Sequence, residues 1–244
     1  MRQRVIACAT AAVASIGSVA TATPIEVEAF IASGLYSTGD HSPGHLNYYI
    51  GHAPISSPPE RRNYFVFDLG SVGAPIVSAK LKLYMPGDEL KSEPCGYSSV
   101  DPTEMYKLSG SPFPWTMFVA AFETPDAPKD GIKAMFGTLG EGVPYGFAML
   151  SGEDCGKDVV IDLTAEGVAA LNAAFSDPHG PKIVLGGRLT DITPGEPDIF
   201  ELAFAYSDIP PMPYPRLELT LVPAPGTVGV LLGACMVGSA RRRR

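Results

Sequence analysis

Short runs in which apolar and polar side chains alternate, closed off by glycine, proline or acidic residues, constrain the fold of this chain most. Leu81 and Leu83 alternate with Lys80 and Lys82, and residues 64–69 and 216–221 follow the same pattern. A period of two points one set of side chains into a core and the other toward solvent, as in a β-strand. The 26 glycines and 24 prolines make up about a fifth of the 244 residues and argue against long helices and coiled coils.

Runs of this kind predict the strands of an all-β domain. They comprise residues 25–31, 63–68, 77–84, 103–108, 145–150, 159–163, 182–189, 199–206 and 216–221. One helix is expected at residues 165–175, because Thr164 can cap it and Pro178 blocks its extension. Residues 113–136 stay ambiguous, with residues 115–122 as a further candidate for a short helix. We therefore expect a jelly-roll-like β-sandwich with one short helix, in a single domain of residues 23–221.

The first 22 residues have the layout of a secretory signal peptide with an apolar helix. Arg2 and Arg4 form a basic start, residues 5–19 carry no charge, and residues 20–22 supply the small side chains that signal peptidase needs. We expect cleavage between Ala22 and Thr23. A transmembrane anchor or a buried helix is the alternative, although the run is short for a bilayer.

Residues 222–244, at the C-terminus, contain helix-breaking prolines, then an apolar helix and then a basic end. Pro223 and Pro225 separate the body from residues 226–240, a run of about 15 residues that is shorter than a bilayer span of roughly 20. The chain ends on Arg241, Arg242, Arg243 and Arg244. This order is typical of a sorting signal that is read and removed. An ordinary tail anchor is the alternative.

The same tail resembles the PEP-CTERM sorting signal of Gram-negative bacteria that make extracellular polysaccharide. The resemblance rests on Val222, Pro223 and Pro225, on the apolar helix and on the terminal arginines, whereas Ala224 stands where that family usually has Glu. It implies an exosortase as a partner that processes the tail. It also implies transient anchorage in the inner membrane and then release to the cell surface or extracellular matrix.

Charge limits the partners of this chain. The formal net charge is −8, and without the basic ends Lys and Arg fall from 18 to 12 against 26 acids, so the body is near −14. A nucleic-acid partner requires a basic face, so none is expected. An acidic body between basic ends is typical of an exported protein, because basic flanks stay on the cytoplasmic side of a membrane.

A second resemblance concerns the body. Arg62-Asn-Tyr-Phe-Val-Phe-Asp-Leu69, followed by residues 77–84, is similar to the core of the DNRLRE-type β-sandwich. In that family an Arg-x-x-x-x-Phe-Asp-Leu strand pairs with a Ser-Ala-x-Leu-x-Leu-Tyr strand, and residues 159–164 and 217–221 follow in the family's order. The resemblance implies a jelly-roll module, of which some bind carbohydrate, and it says little about function.

Two of the four cysteines belong to the body. Cys8 and Cys235 fall in the two ends, which leaves Cys95 and Cys155 in loops rich in glycine and acids. An isolated pair in an oxidising compartment predicts a disulfide. The spacing lacks a CxxC pattern for a metal, and the acidic surroundings disfavour a reactive thiol.

Other candidate groups form no recognisable catalytic motif. His41, His45 and His52, with Asp40, are the histidine cluster, for which a surface loop is favoured over a zinc site or catalysis. Loop carboxylates are Asp88, Glu89, Glu93, Asp101, Glu104, Glu123, Asp126, Glu153, Asp154 and Asp158. A glycosidase pair cannot be chosen from them. They leave a structural calcium open, although no EF-hand pattern occurs, and no other cofactor is expected.

The remaining candidates are aromatic side chains that could stack on sugar rings. They are Tyr36, Tyr48, Tyr49, Tyr97, Trp115 and Tyr145, for which core and sheet-edge roles are favoured. The sequence therefore favours a non-enzymatic exported surface or matrix protein without catalytic residues. A carbohydrate-binding module acting in exopolysaccharide is the first alternative, and a polysaccharide-degrading enzyme is the second.

Overall fold

Strands and the turns between them make up most of the described chain. A computed structural model describes residues 24–52, 60–87, 95–177, 180–192, 201–205, 207 and 213–223. Strands hold 44% of these residues and helices 18%, which confirms the β-rich fold class. Residues Thr23–Val222 form one compact unit, and the description that follows concerns that unit.

The described residues contain strands of two to twelve residues and three short helices. The strands are β1 (Ile25–Tyr36), β2 (Ile50–His52), β3 (Arg61–Asp68), β4 (Ile76–Met85), β5 (Ser98–Ser99), β6 (Thr103–Gly110), β7 (Pro144–Ser151), β8 (Lys157–Asp162), β9 (Lys182–Leu189), β10 (Glu201–Ala203) and β11 (Arg216–Leu221). The helices are α1 (Trp115–Glu123), α2 (Lys129–Phe136) and α3 (Ala165–Phe175), and a 3₁₀ turn spans Gly152–Asp154. Every predicted strand region contains a strand, whereas β2 and β5 were not predicted.

The strands pair antiparallel in two layers that share β1. The first sheet has the order β1-β11-β4-β8, and the second has the order β1-β3-β9-β6-β7. Strand β1 joins both, because residues 25–28 pair with β11 and residues 29–36 with β3. The register shifts between Ala29 and Ile31, as at a β-bulge, which bends a strand from one sheet toward another. The short strands β2, β10 and β5 extend the second sheet beside β3.

The main hydrophobic core lies between the two sheets. Leu81, Leu83 and Ile161 of the first sheet and Phe65 and Phe67 of the second are all buried in one cluster. Burying side chains of this size stabilises a domain by about 1.5–3 kcal/mol each. The alternation predicted for β4 is therefore confirmed.

Strand β3 departs from the alternation expected of it, since both of its faces are buried. Phe65 and Phe67 face the main core, while Tyr64 and Val66 belong to a second apolar cluster with side chains of α1 and α2. The two helices cover the outer face of the second sheet around β3 and leave neither face to solvent. A continuous apolar run is typical of a strand that is covered on both sides.

The prediction of one short helix is right for α3 and wrong for the number of helices. Thr164 caps α3 by accepting a hydrogen bond from the Gly167 N–H, as the sequence predicted. Helices α1 and α2 start after prolines and have no side-chain cap. Burial of Phe118 and Ile132 against the second sheet stabilises them, because packing outweighs local propensity in short helices.

The two chain ends carry predictions that the structure does not describe. The predicted signal peptide with its Ala22–Thr23 cleavage site and the apolar tail from Ala224 to Arg244 lie outside the described residues. Among the residues that are described, no helix has the length and apolar character needed to cross a membrane.

Candidate functional site

The predicted disulfide is present and fastens the start of a loop that carries acidic residues. Cys95 is bonded to Cys155, and their Cα atoms are 5.6 Å apart. The same loop is tied to the second residue after β10, because the Ala205 N–H donates a 3.0 Å hydrogen bond to the Gly96 carbonyl. The disulfide joins residues 60 positions apart in the chain and so closes a long loop.

Three carboxylates, Asp101, Glu104 and Glu201, meet beside this loop and form an acidic cluster. One carboxylate oxygen from each lies within 4.8 Å of the others. Asp101 precedes β6, Glu104 lies in β6, and Glu201 begins β10, whose pairing with Ser99 of β5 brings it close. Glu104 and Glu201 are each 1% exposed, whereas Asp101 is exposed.

Glu104 sits in an unusual environment for a carboxylate. The Ser99 hydroxyl donates a 2.5 Å hydrogen bond to its Oε1, while its buried Oε2 has no hydrogen-bond partner among the described residues. Burial raises the pKa of Glu104, and the negative charges of Glu201 and Asp101 raise it further. The cluster therefore includes one buried carboxylate oxygen, Oε2 of Glu104, that has no hydrogen-bond partner among the described residues.

A groove lined by residues of α1, α3 and the second sheet forms a second candidate site. Its volume is about 510 Å³, and Phe113, Trp115, Tyr145, Asp177 and Lys182 are among its lining residues. We call it the aromatic groove. Ligand clefts usually enclose about 300–1,000 Å³, so the groove has room for a small ligand.

Charge and close packing fix the side chains of the aromatic groove. The Lys182 ammonium lies 4.9 Å from the centre of the Trp115 ring and 2.9 Å from an Asp68 carboxylate oxygen. Lys182 and the Gly70 N–H hold the pKa of Asp68 below its usual range. A Cβ on Gly110 would lie 2.6 Å from the Tyr145 hydroxyl, so only glycine allows the ring its position. Trp115 and Tyr145, predicted as sugar-stacking candidates, thus line one groove.

Other predicted aromatic residues have structural contacts instead. The buried Arg61 guanidinium lies 3.8 Å from the centre of the Tyr49 ring and 5.2 Å from that of Tyr36. The two tyrosine hydroxyls share a 2.5 Å hydrogen bond, and burial raises the pKa of Tyr49 to about 12. Tyr48 is buried in the main core, and Tyr97 donates its hydroxyl to the Asp101 carbonyl at 3.0 Å.

The histidines do not meet in a metal-binding group among the described residues, where the acidic cluster is the group that qualifies. His41 Nε2 lies 3.0 Å from the Thr124 carbonyl, and His45 is exposed. Asp40 forms an ion pair with Lys129, whose ammonium holds the pKa of Asp40 below its usual range. These contacts are those of a surface loop at residues 40–45, the interpretation that the sequence favoured.

Most of the remaining carboxylates also have structural partners or face solvent. Asp154 accepts the Ser151 N–H at 2.7 Å and closes the 3₁₀ turn, and Asp158 pairs with Arg216. Glu123, Asp126 and Glu153 are exposed, and Asp88, Glu89 and Glu93 lie outside the described residues.

Sequence reasoning missed Glu201, Asp177 and Lys182. Glu201 is about a hundred residues from Asp101 along the chain, and neither stretch carries a ligand motif. Pairing of β10 with β5 brings them together, and only the folded sheet supplies that information.

Comparison with other proteins adds no assignment. No protein-family model matches the sequence, and a search of curated proteins found no relative. The resemblances drawn from sequence motifs therefore remain predictions.

Proposed function

We propose that this chain is an exported, non-enzymatic protein of the cell surface or extracellular matrix of a Gram-negative bacterium. The observation that carries the proposal is the disulfide between Cys95 and Cys155, which locks a long loop onto the β-sandwich. Disulfides persist in oxidising compartments outside the cytoplasm. The basic and apolar layout of residues 1–22 and the PEP-CTERM-like tail of residues 222–244 support the same conclusion.

The body is proposed to be a jelly roll. The order β1-β11-β4-β8 in one sheet and β3-β9-β6-β7 in the other supports this topology. Two stacked antiparallel sheets, each built around four such strands, are the double-sheet arrangement of jelly rolls. A jelly roll hosts many functions, so the fold itself does not choose among them.

Export can be tested on the full chain expressed in a Gram-negative host that has an active exosortase. N-terminal sequencing of the exported protein should begin at Thr23, and non-reducing peptide mapping should recover Cys95 linked to Cys155. A retained Met1 or two free thiols in the exported protein would contradict the proposal.

Tail processing needs its own variant. Replacing residues 241–244 with glutamine should leave the body folded but impair retention and cleavage, because basic residues hold a segment's end in the cytoplasm. The control replaces Lys133, an exposed basic residue of α2, with glutamine. Processing that is unchanged in the tail variant would show that these arginines do not act as a sorting signal.

Carbohydrate binding is the second candidate function, and the aromatic groove favours it. Sugar rings stack on aromatic faces while polar groups orient their hydroxyls, and here Trp115 and Tyr145 share a groove with Asp177 and Lys182. Trp115 is the single tryptophan, so its fluorescence reports on this groove alone.

Titration of the protein with the host's exopolysaccharide fragments tests this second candidate. We expect a saturable change in tryptophan fluorescence, and binding weakened about tenfold in Tyr145→Ala, equivalent to about 1.4 kcal/mol. Tyr214→Ala removes an exposed tyrosine outside the groove and serves as the control. Absence of a fluorescence change, or equal binding by the two variants, would count against the groove as a glycan site.

A further inference from the structure

We infer that the acidic cluster of Asp101, Glu104 and Glu201 binds one Ca²⁺ ion that joins the loop before β6 to the start of β10. The three carboxylate oxygens lie within 4.8 Å of one another. Ligands on opposite sides of Ca²⁺, each at 2.3–2.6 Å, are about 5 Å apart. One ion can therefore contact all three carboxylates from the positions they already hold.

Burial is the observation that separates this cluster from ordinary surface acids. Glu104 and Glu201 are each 1% exposed, and two neighbouring carboxylates that are shielded from water repel each other strongly. The Ser99 hydroxyl donates a hydrogen bond to Oε1 of Glu104, whereas the buried Oε2 has no hydrogen-bond partner among the described residues. That oxygen has unused lone pairs and lies beside two further carboxylates, which is an environment that a bound cation stabilises.

The neighbouring charges act in the same direction. A carboxylate oxygen of Asp101 and one of Glu201 each lie within 4.8 Å of a carboxylate oxygen of Glu104. A divalent cation offsets most of the charge of three carboxylates, so it stabilises the ionised cluster where a hydrogen bond would not.

The ligand chemistry favours Ca²⁺ over other metals. All three ligands are carboxylates, and zinc and copper sites usually include His or Cys. Mg²⁺ requires a tight octahedral shell and usually keeps several waters, whereas Ca²⁺ accepts several carboxylates in an adaptable shell. Exposed Asp101 at the edge of the cluster leaves room for water ligands on its side.

The position of the cluster gives the ion a structural task. Asp101 and Glu104 belong to the segment that follows Cys95, and Glu201 begins a three-residue strand between β2 and β5. Short strands of this kind are weakly held by their own pairing. An ion shared by both segments fastens β10 to the second sheet.

Metal binding can be measured directly on the disulfide-bonded protein after removal of divalent ions with EGTA and dialysis. Calorimetric titration with CaCl₂ should show one ion per chain, bound more tightly than Mg²⁺ under the same conditions. Tb³⁺ should luminesce on tyrosine excitation, because Tyr97 donates its hydroxyl to the Asp101 carbonyl at 3.0 Å. Added Ca²⁺ should then displace the Tb³⁺ signal.

Glu104→Gln is the decisive variant, since it keeps the shape of the side chain and removes its charge. We expect its Ca²⁺ affinity to fall about tenfold or more, the scale seen when support for a metal site is lost. The control Glu166→Gln makes the same change on an exposed residue of α3 and should bind Ca²⁺ like the unmodified protein.

A stability measurement separates loss of binding from loss of the fold. In EGTA, Glu104→Gln should unfold at or above the temperature of the unmodified protein, because the repulsion within the cluster is reduced. Ca²⁺ should raise the unfolding temperature of the unmodified protein and not that of the variant. Asp101→Asn, at an exposed position, provides a second variant if Glu104→Gln does not fold.

Three results would overturn the inference. The first is the absence of saturable Ca²⁺ binding with a Kd of ~10⁻³ M or tighter, the weak limit for extracellular calcium modules. The second is binding by Glu104→Gln and Asp101→Asn equal to that of the control. The third is an affinity for Mg²⁺ that matches the affinity for Ca²⁺. None of these results depends on whether the protein is exported.

Discussion

Removal of the disulfide should cost this protein a large share of its stability. Cys95 and Cys155 are 60 positions apart, and in the loop-entropy model a cross-link of that span stabilises the fold by about 4 kcal/mol. Domains of this size are usually stable by about 5–15 kcal/mol. The double variant Cys95→Ser/Cys155→Ser should therefore remain folded at 25 °C, but with a much lower resistance to denaturant.

Urea unfolding followed by tyrosine and tryptophan fluorescence measures the difference. The double variant is preferable to a single one, because a lone cysteine left behind is free to form bonds between chains. The unmodified protein treated with a thiol reductant should match the double variant, and the reductant should have no effect on the double variant itself. The midpoint should move by the equivalent of about 4 kcal/mol in both comparisons.

A difference below about 1 kcal/mol would refute the entropic reasoning, because the loop would then be restrained equally well without the bond. Residual structure of the loop in the unfolded chain is the physical route to such a result. Detection of two free thiols in the purified, unreduced protein would refute the pairing itself.

Three further predictions concern the sandwich and are all measured by urea unfolding. Leu83→Ala should destabilise the fold by about 2–5 kcal/mol, since Leu83 is fully buried between the sheets, and an effect under about 1 kcal/mol would contradict that packing. Arg62→Met should destabilise it by about 2 kcal/mol, because Arg62 pairs with Glu141 at 3.0 Å and donates to the carbonyls of Phe136, the last residue of α2, and Leu139 beyond it. Equal stability would contradict a role for these bonds. Asp68→Asn should cost about 0.5 kcal/mol at pH 7. Because the pKa of Asp68 is lowered from 3.8, its contribution is present above that value and lost as the pH falls through the lowered pKa, so a difference that persists at acid pH would contradict the assignment.

Strands were predictable because the signal that makes them is local. In β4 the alternation of Leu81 and Leu83 with lysines already separates the core face from the solvent face, and the structure buries the leucines as expected. Strands β2 and β5 have three and two residues, too few to show a period. Their conformation depends on pairing with β10, which no nearby sequence encodes.

Helices α1 and α2 were harder to predict for a different reason. The sequence around Gly131 has weak helix propensity, and the helices lack a side-chain cap. What stabilises them is the apolar outer face of β3, where Tyr64 and Val66 need a cover. The alternation of β3 predicts one buried face, whereas tertiary packing buries both.

The candidate sites show the same division between local and long-range information. Cys95 and Cys155 could be paired by elimination, since the other two cysteines fall in the chain ends. Asp101 and Glu104 were among the predicted carboxylates, yet nothing near them points to Glu201. A cluster assembled by strand pairing cannot be recognised from spacing alone.

Cys95 of the disulfide and Asp101 of the acidic cluster lie on the same loop before β6, so the proposed calcium site should depend on the bond. Cys95 fixes the start of the segment that leads through Ser99 to Asp101, and Ser99 Oγ bonds both the Asp101 N–H and the Glu104 carboxylate. Without the bond, binding must also restrain the loop, and that ordering lowers affinity. Ca²⁺ affinity measured by calorimetry should therefore fall several-fold in Cys95→Ser/Cys155→Ser. This double variant should still bind Ca²⁺ more tightly than a triple variant that also carries Glu104→Gln. Equal affinities with and without the disulfide would show that the hydrogen bonds of Ser99 alone preorganise the cluster.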